Sequence, residues 1–182
     1  MNFLKLIYLL ILYTVVFTNT NHIVPAAYIE TNQTTGEISF VGFQETQEKV
    51  KVAKTYNIDP NNNLSENNKF SFTLSPDDET QFFSAHYENF IGENNKELVL
   101  ISTNRQQGMK VYMWEETEEQ IFEPLYPPKT IKTNTKQLNP ITAVVFQNNE
   151  TPQKELAISF GSPNRKVIIL SFQNNTIIQK EI

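Results

Sequence analysis

The chain has 182 residues and no cysteine. That excludes disulfides, thiol catalysis and zinc sites built on thiolates. It also removes the staples on which small secreted domains often rely, although a chain this long can bury a core without them. Histidine is nearly absent, with His22 and His86 alone, so a His-rich metal centre or a His-dependent triad has almost no material. With five glycines there is no Gly-rich phosphate loop, and no strand-turn-helix serine elbow is present. Only three aspartates occur, Asp59, Asp77 and Asp78. The 15 basic residues are scattered against 20 acidic ones, for a net charge of −5. Nucleic-acid surfaces and polybasic membrane patches need clustered cations and are therefore not expected.

What is present begins with an apolar leader. Lys5 precedes an uncharged run from Leu6 to Phe17, and polar Thr18 to Asn21 follow. This is the layout of a secretory signal peptide, expected over residues 1–21, with an uncleaved signal-anchor as the alternative. The run falls short of the roughly 20 residues that cross a bilayer. Secretory-pathway entry, with a secreted or membrane destination, gives meaning to the Asn-x-Ser/Thr triplets at Asn32, Asn63, Asn149 and Asn174. Pro152 follows the last of the Asn149 triplet and handicaps it.

Residues 22–182 alternate. Residues 36–43, 49–54, 69–74, 109–114, 141–146, 155–160 and 166–172 have period two, and 97–102 is a continuous apolar run. They are rich in Val, Ile, Phe and Tyr and predict strands. Turn signals such as Ser-Pro-Asp-Asp and Gly-Ser-Pro-Asn separate them. No helix is expected beyond the leader. Two Asn- or Pro-rich stretches, 57–68 and 124–140, read as long surface loops.

The strands also repeat. Glu37, Glu97 and Glu155 each stand at the head of an apolar strand, separated by 60 and 58 residues. The predicted fold is all-β, with propeller-like blades near 26–60, 68–125 and 138–182 making a partial propeller; a β-sandwich is the alternative. Each such sheet is too small to hide both faces and must lie against a neighbour.

Asn89 to Leu98 reads Asn-Phe-Ile-Gly-Glu-Asn-Asn-Lys-Glu-Leu. This resembles the loop D-F-N-G-D-G-x-x-D-L of FG-GAP repeats, the blade units of integrin α-chain propellers. Asn89, Phe90, Gly92, Glu93, Glu97 and Leu98 take its D, F, G, D, final D and L positions. The layout from about 68 to 172 is similar to the amino-terminal region of the T-cell immunomodulatory protein family, membrane proteins with degenerate blades. The resemblance implies a non-enzymatic interaction module and a degenerate calcium loop at Asn89, Glu93 and Glu97. Calcium seeks several carboxylate oxygens. Here Ile91 and Lys96 stand where ligands would help, so the residues themselves favour a solvated turn with Glu97 at a strand start.

The remaining candidates read blandly. Asp77, Asp78 and Glu79 follow Ser-Pro and suit a turn. His86 suits a packed or exposed ring, and Tyr112 with Trp114 suits the cap of a sheet core. No catalytic residues emerge, and no cofactor is expected apart from that calcium. The expected function is a secreted or membrane-associated module acting on a protein partner, with cell adhesion as its setting. The alternatives are a carbohydrate-binding or glycan-processing β-domain and a signal-anchored subunit of a membrane complex.

Overall fold

The computed structural model describes residues 23–46, 48–74, 80–92, 95–104, 108–117, 121–131, 140–147, 153–160, 166–173 and 176–181. The leader, Asp77, Asp78, Glu79, Glu93, Asn149 and Asn174 lie outside them. Every regular element described is a strand. In chain order they are β1 Ile23–Thr31, β2 Ile38–Glu45, β3 Lys51–Ile58, β4 Leu64–Thr73, β5 Thr80–Glu88, β6 Glu97–Asn104, β7 Gly108–Glu116, β8 Phe122–Pro124, β9 Lys129–Ile131, β10 Pro140–Gln147, β11 Lys154–Phe160, β12 Lys166–Gln173 and β13 Thr176–Glu181.

The fold is all-β, as the periodicity predicts. Consecutive strands pair antiparallel into three open sheets, β1-β2-β3-β4, β5-β6-β7-β8 and β10-β11-β12-β13, with β9 also on β7. A meander of this kind serves equally as a propeller blade or as half of a sandwich. Glu37, Glu97 and Glu155 all fall at the start of the second strand of their sheets. The chain forms two compact units, divided between Asp78 and Glu79.

In the first unit the expected boundary near residues 60–68 is corrected. Residues 64–73 are not the opening of a second sheet but the fourth strand of the first, paired with β3. The 57–68 loop likewise shrinks to a turn at Asp59–Asn63. β4 is polar from Ser65 to Asn68 and carries a bulge, with Thr55 opposite Asn67 and Lys54 opposite Ser71. Thr55 bridges the bulge: its Oγ1 donates to Asn67 O (3.1 Å) and accepts from Phe70 N (3.1 Å). A buried threonine is satisfied by the bulge it holds. On one face Phe40 and Tyr56 stack with ring centroids 5.7 Å apart, beside Ile23 and Ile58. A Cβ on Gly42 would lie 2.6 Å from Ile23 Cγ2 and 3.0 Å from the Tyr56 ring, so glycine there makes room for Ile23 and the tyrosine. Burial pushes the Tyr56 phenol up to about 12, and its hydroxyl bonds to Gln44.

In the second unit two sheets share one core. Val99 and Ile101 of β6, with Met109, Val111 and Met113 of β7 and Ile131 of β9, meet Leu156 and Ile158 of β11, Ile168, Leu170 and Phe172 of β12, and Ile177 of β13. Each aliphatic side chain buried this way contributes about 1.5–3 kcal/mol. The strand clusters β5–β9 and β10–β13 therefore shield each other. Within the expected 124–140 loop, β9 is an added strand, and Ile131 is fully buried. Lys129 reaches across to the carbonyl of Ile177.

Candidate functional site

Residues 89–91 lie at the joint of these two sheets. Phe90 is fully buried, with its ring centroid 4.8 Å from that of Phe172 on β12. This turns the main chain inward, and its amides need an acceptor. Glu97 supplies it: Oε2 accepts from Phe90 N at 2.7 Å and from Ile91 N at 3.3 Å. The loop's carbonyls are taken from the neighbouring sheet. Asn89 O accepts from Lys154 N at 3.2 Å, and Ile91 O accepts from Gln153 Nε2 at 2.7 Å. Lys154 also pairs with Glu88 through its ammonium group.

The reading of this loop as a solvated turn with Glu97 at a strand start holds for exposed Gly92, Asn95 and Lys96 and for Glu97 opening β6, but not for buried Phe90 and Glu97. Glu97 is only 2% exposed. Burial raises its pKa above the usual carboxylate range, the amides of Phe90 and Ile91 oppose that rise, and the charge of Glu115 adds to it. Lys96 does not point into the loop; its Nζ sits 5.1 Å from the centroid of the Tyr87 ring. Gly92 is not demanded by its surroundings, since a Cβ there meets nothing within 4 Å.

The expected calcium ligands are described only in part. Of the three expected ligands, Glu97 has Oε2 committed to two amides, and its raised pKa marks a site that disfavours charge. Asn89 Oδ1 is buried without a hydrogen-bond partner, and Glu93 lies outside the described residues. Among the described residues no three acids or histidines converge on a metal position.

The other candidates are dispersed. His86 is mostly buried on β5, its pKa pushed down to about 4 by burial against a small opposing effect of Glu88. Its Nε2 and the nearby Ser84 Oγ are buried without partners. Tyr112 and Trp114 stack at 6.0 Å on β7, Trp114 being buried. Asn32 and Asn63 are exposed at hairpin tips. Gln153, Lys154 and Phe172 went unseen as partners of the loop; the signal available was the Lys-Glu-Leu shared by residues 96–98 and 154–156. No protein-family model, curated protein or solved structure matches the chain.

Proposed function

We propose that the chain is a non-enzymatic, secreted or membrane-associated β-propeller-like module that acts by protein–protein contact, in adhesion. One observation carries this reading. The face of β10–β13 turned away from β5–β9 carries open apolar side chains among polar ones, with Val144 53%, Val167 37% and Ile178 44% exposed. By the register of the four strands, Phe146, Ala157 and Ile169 share that face and are half-buried. Apolar patches of this sort mark contact surfaces on soluble chains.

The occupant we assign is a second copy. The face carries one acid, Glu155, and one base, Lys180, so it is complementary to itself under a two-fold rotation. Four strands about 4.8 Å apart and three rows deep give a face of about 400 Å². Two such faces, with the relief of their side chains, approach the ~1,000 Å² that a specific interface needs. The test is sedimentation velocity on the full chain over a wide range of concentration. Self-association that weakens about tenfold or more in a Val144→Lys, Ile178→Lys variant is expected. A wild type that stays monomeric, or a dimer indifferent to the substitutions, overturns this contact.

A further inference from the structure

We infer that Asn32 carries an N-linked glycan and that Asn63, in the same sequence motif, does not. The inference rests on the secretory reading above for delivery to the lumen, but the choice between the two sites comes from local geometry.

The two asparagines sit at hairpin tips of one sheet, Asn32 between β1 and β2 and Asn63 between β3 and β4. The tips meet, since a Cβ on Gly36 would lie 3.3 Å from Pro60 Cγ. The Asn32 tip is built through Oδ1 and the main chain. Oδ1 accepts from Thr34 N at 2.9 Å and from Thr35 N at 3.1 Å. Asn32 N donates to Glu37 O, and Asn32 O accepts from Gly36 N, both at 2.8 Å. Gly36 provides the positive φ of 71° that closes the turn. Residues 32–36 are all exposed. These bonds place the carboxamide beside Thr34, the hydroxyl residue of its own triplet. Two N–H donors on Oδ1 also withdraw density from the amide and make Nδ2 a better proton donor.

Transfer from a lipid-linked oligosaccharide needs that proton to leave. A bond forms between Nδ2 and the anomeric carbon, the bond to the lipid diphosphate breaks, and one proton is lost from nitrogen. No redox partner is needed. The whole turn is made by residues 32–37, so it can form before the rest of the sheet. Asn63 is the reverse case. Its Nδ2 donates to Asp59 Oδ2 at 2.9 Å, and its main-chain N donates to Asp59 Oδ1 at 2.8 Å. A sugar on Nδ2 would disturb the carboxylate that organises the turn.

The experiment is peptide mapping of the full chain from a secretory host, with peptide N-glycosidase in heavy-oxygen water marking each occupied asparagine as labelled aspartate. One arm keeps the native leader, and a second replaces residues 1–21 with an established secretory leader. In the second arm label at Asn32, lost in Thr34→Ala, and none at Asn63 is the expected result. Thr34→Ala keeps the Asn32 turn intact, so a loss there is not misfolding. Unlabelled Asn32 in the second arm, or equal label at Asn63, overturns the inference. Label in the second arm but no lumenal protein in the first supports the inference and defeats the secretory reading instead.

Discussion

Asp59 and Glu97 each hold two main-chain amides at a strand connection: those of Asn61 and Asn63 in one case, of Phe90 and Ile91 in the other. Their surroundings differ. Asp59 is partly open to water, and its bonds to Asn63 hold its pKa below the usual range. Glu97 is buried, and loss of water outweighs its bonds, so its pKa rises. One geometry thus gives opposite electrostatics, and the deciding quantity is solvent. The exposed turn serves its own hairpin. The buried one locks two sheets, because Phe90, Gln153 and Lys154 all converge on it.

The largest effect is expected at Phe90. Phe90→Ala empties a fully buried site against Phe172 and should cost about 3–5 kcal/mol, read as a fall in the denaturation midpoint. A change below about 1 kcal/mol would mean that the joint does not depend on this ring. Glu97→Ala comes next. It orphans buried amides and should cost about 2–3 kcal/mol. Hydrogen exchange at Phe90 should quicken with it, while exchange at Asn61 stays as before.

Glu97→Gln sharpens the comparison, since its carbonyl can still accept the two N–H groups. A carboxyl whose folded pKa is raised stabilises fully below its unfolded pKa, and that stability is lost as pH rises through the folded value. Wild type should therefore lose stability relative to the glutamine variant as pH climbs above the ordinary carboxylate range. His86 acts in the other direction. Its pKa of about 4 means that stability falls as pH drops below the unfolded histidine range toward that value. The variant keeps His86, so the difference between the two profiles cancels it. A difference that is flat with pH would show that Glu97 is not desolvated.

Much of this architecture is legible in the chain. Period-two alternation locates the cores of β2, β3, β7, β10, β11 and β12, because a half-covered strand must alternate, and a continuous apolar run locates β6, which is buried on both faces. β4 defeats that logic in its first half: after Leu64, Ser65 to Asn68 is polar, and pairing with β3 plus the bulge at Thr55 holds those residues in the sheet rather than burial. The loop at residues 89–97 is legible as a special place but not as a joint. Its partners lie more than sixty residues downstream, and nothing local says whether Glu97 faces water. The same blindness makes Asn32 and Asn63 equivalent in sequence, although one amide is presented and the other engaged.

The smallest effect, and the one that tests the exposed half of the comparison, belongs to Asp59. Asp59→Asn retains an oxygen for the amides of Asn61 and Asn63 but removes the charge and the acceptor for Asn63 Nδ2. A carboxylate whose folded pKa is lowered stabilises above its unfolded pKa, and that stability disappears as pH falls through the folded value. The wild type should hence lead the asparagine variant slightly at neutral pH, and the lead should vanish in acid. Salt should shrink it too, because a charge open to water is screened, whereas the Glu97 difference should barely respond. Equal salt sensitivity at the two positions would mean that both carboxylates share one environment, and the contrast between the turns would fall.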